Sequence, residues 1–151
     1  MTQRNKFNRY KKNIATLQAE VPYLFKDKQA PIVLGIGSFE PLCALTSLSR
    51  TVLRDVLSVW CSRLEYHQSM INNYNCAYLE TGEDEKVHLK WCPIVPSRKE
   101  FARDQLQRRV NCNPFLFKRY NLKQYGVLLC ERDTMLPLTS TTVPSAPRVA
   151  M

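Results

Sequence analysis

A chain of 151 residues, 44% of them hydrophobic, holds enough apolar side chain for one packed domain plus a tail. Its net charge of +9 favours a polyanionic partner through counterion release. No apolar run approaches the ~18 residues of a membrane span, so no membrane partner is expected, and a charged rather than apolar N-terminus argues against a signal peptide, so a cytoplasmic protein is expected.

The positive charge is uneven. Residues 1–12 carry Arg4, Lys6, Arg9, Lys11 and Lys12 and no acid, whereas residues 13–95 are almost neutral. Residues 96–110 and 111–151 each come to +3. The six cysteines, Cys43, Cys61, Cys76, Cys92, Cys112 and Cys130, include no C-x-x-C pair. A structural zinc site is therefore not expected, and the thiols read as reduced core or surface residues.

In chain order, residues 9–20 read as a helix, with Tyr10, Ile14 and Leu17 on one face. Val21-Pro22 ends it, because proline disfavours the helical conformation in the residue before it. Tyr23-Leu24-Phe25 form an apolar knot. An apolar stretch, Pro31–Ile36, runs into Gly35-Ile36-Gly37, and a short helix from Ser38 to Thr46 has Phe39 and Leu42 facing inward. The clearest signal spans residues 49–68: Ser49 is a good N-cap, and Val52, Leu53, Val56, Leu57, Trp60 and Leu64 form an apolar stripe. This predicts one amphipathic helix of about five turns, with Arg50, Arg54, Ser58, Cys61 and Glu65 on the opposite flank. Cys76–Leu79 and Lys86–Trp91 predict a hairpin with an acidic tip. Ser97 to Glu100 match a capping box, with Pro96 and Phe101 as a staple, opening a helix to about Val110. Phe115–Cys130 carries enough aromatics to pack, and residues 134–151, rich in Ser, Thr and Pro, read as a disordered tail.

No catalytic constellation emerges. Gly35 and Gly37 lack the third glycine of a dinucleotide loop, since position 40 is Glu40, and no P-loop lysine follows. Cys61 and His67, placed on one continuous helix, face nearly opposite ways. Glu80, Glu83, Asp84 and Glu85 match no calcium loop and read as a solvated turn. No enzyme activity, cofactor or metal is expected. The remaining chemistry lies on the long helix. Ser49, Arg50 and Thr51 open it, where backbone N–H groups and the positive dipole end favour an anion. Arg54 follows one turn on, and Tyr66 is placed to stack on a base or donate to a phosphate.

Several runs resemble the FinO/ProQ domain of bacterial RNA chaperones. They are Pro22-Tyr23-Leu24-Phe25, Pro31 to Ile36, Leu48-Ser49-Arg50-Thr51-Val52-Leu53-Arg54-Asp55-Val56-Leu57, and Tyr66. The family pattern has a P-x-x-F knot, a P-L-x-x-G-I segment, an L-S-[KR]-x-x-L-R-x-A-L helix and a closing aromatic, in the same order over about residues 10–110. The resemblance implies binding of terminator-like hairpins with a 3′ single-stranded tail, in small RNAs and messages, with RNA protection and promoted pairing. It implies contact roles for Arg50, Arg54 and Tyr66, with Ser49 and Thr51 near the RNA 3′ end. Three basic positions of the family are lost, at Val33, Ser58 and about Cys76, and its Gly-rich turn is Asn72–Asn75 here. The arm at 4–12, with Lys11 and Lys12, and Arg98, Arg103, Arg108 and Arg109 are expected to compensate.

The expectation is a mainly α fold with a small β-hairpin (α+β), a compact FinO/ProQ-like helical domain. Residues 1–8 form a basic arm, 9–110 the RNA-binding domain, 111–133 an extension and 134–151 the tail. The expected function is post-transcriptional RNA chaperoning by a monomer. A DNA-binding regulator and a protein-interaction module whose charge serves solubility stand as alternatives.

Overall fold

A computed structural model describes residues 3–129. The expected disorder of 134–151 and the thiol of Cys130 lie outside that range. The chain divides after Leu106 into two compact units. The first is mainly helical with one hairpin, the architecture expected from the sequence.

Helix α1, Gln3–Glu20, begins earlier than the apolar periodicity does, so residues 3–8 are its first turns rather than a separate arm. Ile14 and Leu17 are buried on one face. Pro22 ends α1 and occupies the first position of α2, Pro22–Phe25, where a missing N–H costs nothing. The knot then packs inward: Phe25 meets Trp60 edge to face at 5.7 Å between ring centroids. The short helix predicted at 38–46 is confined to α3, Phe39–Cys43.

The five-turn helix is in fact two. Helix α4 spans Arg50–Trp60, and α5 spans Leu64–Asn72. Leu53, Val56 and Trp60 are buried as the stripe predicts. The break follows from competing bonds. Ser62 Oγ donates to the Val59 carbonyl at 2.9 Å, and the backbone tightens through Ser62 N to Val59 O and Arg63 N to Trp60 O. Arg63 is extended, its guanidinium lies 4.7 Å from the Trp60 ring centroid, and it donates to the Lys28 carbonyl at 2.7 Å.

Strands β1, Asn75–Thr81, and β2, Val87–Pro93, pair antiparallel with Cys76 opposite Cys92. Gly82 N–H bonds Lys86 O, closing the acidic tip. The other edge of β1 is taken by the glycine segment: Ala77 N–H bonds Val33 O at 2.8 Å, and Gly35 N–H bonds Ala77 O at 2.7 Å. A Cβ on Gly35 would lie 3.1 Å from Tyr78 Cα, so only glycine fits this approach without displacing backbone. Gly37 turns at φ +93°. Ser38 Oγ accepts the Leu79 N–H at 3.0 Å and completes the seam.

Helix α6 spans Pro96–Cys112 and starts one residue before the predicted cap. Ser97 therefore sits inside its first turn, and Arg98 N–H bonds Val95 O. Phe101 does not staple onto Pro96; it is exposed and meets His67 edge to face at 6.3 Å.

The second unit begins at Gln107 and holds α7, Phe115–Arg119, and a 3₁₀ turn at Leu122–Tyr125. The segment after Asn113 thus carries a short helix and a 3₁₀ turn. The Gln107 amide donates to Leu128 O and accepts from Leu128 N, each at 2.8 Å, imitating a strand pair.

Candidate nucleic-acid interface

The start of α4 is held in place from two sides. Behind it, Glu20 at the end of α1 accepts hydrogen bonds from Thr46 Oγ1 (2.6 Å), Ser47 N (2.8 Å) and Ser47 Oγ (2.6 Å). These bonds hold the Glu20 carboxyl below its ordinary range. They fix the two residues that lead into Leu48 and Ser49. Ser49 itself is extended, and its Oγ accepts the Val52 N–H at 3.3 Å, the cap read from sequence. The Arg50 and Thr51 N–H groups precede the first intrahelical bond, from Leu53 to Ser49, and point out of the helix end. Ser49, Arg50, Thr51 and Arg54 are all exposed.

Phe39, which sequence reasoning assigned only to the core, organises the arginines. The Arg50 and Arg54 guanidinium carbons lie 5.3 and 5.2 Å from its ring centroid. Arg50 also pairs with Glu40 at 2.5 Å. That bond draws the Glu40 carboxyl down and the Arg50 guanidinium up. Arg54 forms no ion pair among the described residues, so its charge is the less compensated of the two.

Tyr66 is placed differently from expectation. It is 3% exposed, so its ring has no face to offer a base. Its hydroxyl accepts the Leu34 N–H at 2.9 Å and donates to Cys61 Sγ. Burial pushes the phenol well above its ordinary value, against the lowering effect of the Leu34 bond. The break between α4 and α5 makes this possible, because it turns Tyr66 and His67 toward Cys61. Cys61 and His67 accordingly line one depression of about 300 Å³ with Tyr66, Arg98 and Phe101, contrary to the single-helix geometry. Burial raises the Cys61 thiol, which keeps it protonated and a poor nucleophile.

Arg98 is the residue the sequence undervalued. It lines this depression and a neighbouring one with Gly35, Ile36, Cys76 and Tyr78, and it donates to Leu34 O at 3.0 Å. Ile36 is 74% exposed beside it. The segment Leu34–Phe39 therefore joins the Arg98 depressions to the Arg50–Arg54 pair, over a span of at most about 18 Å. Its sequence signals were a glycine pair ahead of a helix and the match of Pro31 to Ile36 to the P-L-x-x-G-I segment.

The three lost basic positions differ. Val33 is 1% exposed, so the fold offers no surface site for a cation there. Cys76 is buried against the second depression, and Ser58 is exposed. Lys11, Lys12 and Arg103 are exposed, and none lines either Arg98 depression. Lys11 lies 5.5 Å from the Phe7 ring centroid, beside a separate hollow with Trp60 and Arg63. Arg108 and Arg109 belong to the second unit.

Among the described residues no group of three or more His, Cys, Asp or Glu is placed to hold a metal ion. No described helix is long and apolar enough to cross a membrane.

Comparison with known proteins gave no match among curated proteins and none among solved structures. A protein-family model, that of the ProQ/FINO family, matches residues 7–111. This range runs from within α1 to within α6, with the α4 start, the glycine segment and the hairpin between, and it covers more than half of the chain. The chain belongs to the ProQ/FINO family, a family of RNA-binding proteins.

Proposed function

We propose that this protein is an RNA chaperone that grips the base of a terminator-like hairpin and its 3′ single-stranded tail, in post-transcriptional control. The observation that carries the reading is the pair of guanidiniums, Arg50 and Arg54, ranged over Phe39 beside the open start of α4. A phosphate at that helix end meets the Arg50 and Thr51 N–H groups, the Thr51 hydroxyl and the positive end of the dipole. Arg54, one turn on, takes the next phosphate. Stacking on Phe39 limits the freedom of both arginines, so less entropy is lost when they bind.

The single strand leaves along Leu34–Phe39 toward Ile36 and Tyr78, which offer apolar surface to unstacked bases, with Arg98 as the cation at the far end. Tyr66 is a positioning residue that fixes Leu34 from below. Occupation of this path covers an RNA 3′ end, which is the physical basis for protecting it. The protein is read as a cytoplasmic monomer whose partners are small RNAs and message 3′ ends.

Crosslinking in cells followed by sequencing of the bound RNA tests the reading. Enrichment of hairpins followed by a short 3′ tail is expected. Recovery of RNA without 3′-end preference, or of DNA, would overturn it.

A further inference from the structure

We propose that the RNA path does not end on α4 but crosses Ser58 onto α1, where Lys6 and Arg9 receive phosphates of the hairpin stem. The proposal rests on the RNA-binding reading above. Arg50, Arg54 and Ser58 recur every four residues and so share one face of α4, over about 12 Å of helix. The cationic run stops at Ser58, which is exposed and uncharged. At that point a depression of about 320 Å³ opens between α4 and α1, and Ser58 and Val59 line it together with Lys6, Arg9 and Tyr10.

Lys6 and Arg9 lie three residues apart on α1, so they present to the same side. Both are exposed, and they belong to residues 1–12, which carry five cations and no acid. Among the described residues Asp55 is the only acid lining the depression, leaving cations in excess there. Charge that a longer basic stripe on α4 would carry is thus supplied from a second helix. Adding one helix spacing of about 8–10 Å gives a path of roughly 20 Å. At about 3.4 Å of rise per nucleotide of a duplex strand, this reaches about six nucleotides into the stem.

The experiment is a binding titration of the full chain against 3′-tailed hairpin RNAs with stems of about four and about ten base pairs. The variants are Lys6→Ala/Arg9→Ala, the same pair combined with Ser58→Arg, and Arg54→Ala. Alanine suits exposed helical positions, and circular dichroism checks that the helices are intact. The Lys6→Ala/Arg9→Ala variant is expected to lose on the order of ten-fold in affinity for the long stem at low salt, with a log–log salt slope shallower by about 1.4 to 1.8. It is expected to match wild type on the short stem, and Ser58→Arg is expected to restore long-stem binding. Unchanged long-stem affinity, or an equal loss on both stems, would overturn the proposal. If Arg54→Ala weakens binding to both stems while Lys6→Ala/Arg9→Ala weakens neither, the α1 extension falls and the α4 site stands. If wild type binds neither RNA, both fall.

Discussion

Tyr66→Phe separates a contact residue from a positioning residue. The substitution keeps the buried ring and removes one oxygen. It leaves the Leu34 N–H, which the hydroxyl accepts at 2.9 Å, without an acceptor in a buried setting. An orphaned buried donor costs about 1–3 kcal/mol, and the lost bond to the Cys61 sulfur adds little because a thiol is a weak acceptor. With a urea m-value of about 1–3 kcal/mol per molar, the unfolding midpoint should fall by about 1 M. RNA affinity, measured without denaturant, should change less than the ~5-fold expected from losing a direct contact worth 1 kcal/mol. The alkaline limb offers a second readout. Burial raises the Tyr66 phenol above its ordinary value of 10.0, so the folded chain keeps a proton that the unfolded chain has lost. The stabilisation is complete below about pH 10 and is lost as pH rises beyond it, and Tyr66→Phe should flatten that fall. Wild-type stability combined with a ten-fold or greater loss of RNA affinity would refute the positioning role and make Tyr66 a contact.

Arg54→Ala should cost about 1–3 kcal/mol of RNA affinity without unfolding the domain, and Arg50→Ala should cost less, because Glu40 already neutralises Arg50; the reverse order in a gel-shift titration would contradict the pairing. Ser49→Ala removes the cap on α4 and should lower stability by about 1 kcal/mol, read by thermal unfolding. Ser49→Asp keeps a cap but brings a negative charge to the proposed phosphate site, so stability should hold while RNA affinity falls; unchanged affinity would argue against an anion there. The log–log salt dependence of RNA binding should have a slope of about −0.7 to −0.9 per phosphate contacted, and a flat line would remove the electrostatic basis.

What was legible in the sequence was local. The Ser49 cap, the apolar stripe of α4 and the hairpin each follow from a few neighbouring residues, and the structure holds them as read. The spacing of the glycine pair excludes a nucleotide loop, but the close approach of Gly35 to β1 depends on a strand more than 40 residues away. The break at Ser62 and Arg63 was not legible, because the stripe runs on to Leu64 and Arg63 is held by Lys28, 35 residues away. The misplacement of Tyr66 follows from that single error. On a continuous helix it closes an exposed face, whereas after the break it turns inward to Leu34. Phe39 was read as core because it is apolar, but it lies half-buried under two arginines from another helix. The sequence names Arg98 only as one of several cations that compensate for the lost basic positions. Only its bond to Leu34 O, 64 residues away, places it between two depressions.

The most direct measurement of RNA recognition is a competition titration of the purified chain. It would compare one hairpin RNA carrying a 3′ single-stranded tail, the same hairpin cut flush, and duplex DNA of equal length. The tailed RNA should bind most tightly, the flush hairpin more weakly and the DNA weakest at a fixed salt concentration. Equal affinity for the DNA and the tailed RNA, or no loss on removing the tail, would contradict recognition of a hairpin base and its 3′ strand at the start of α4.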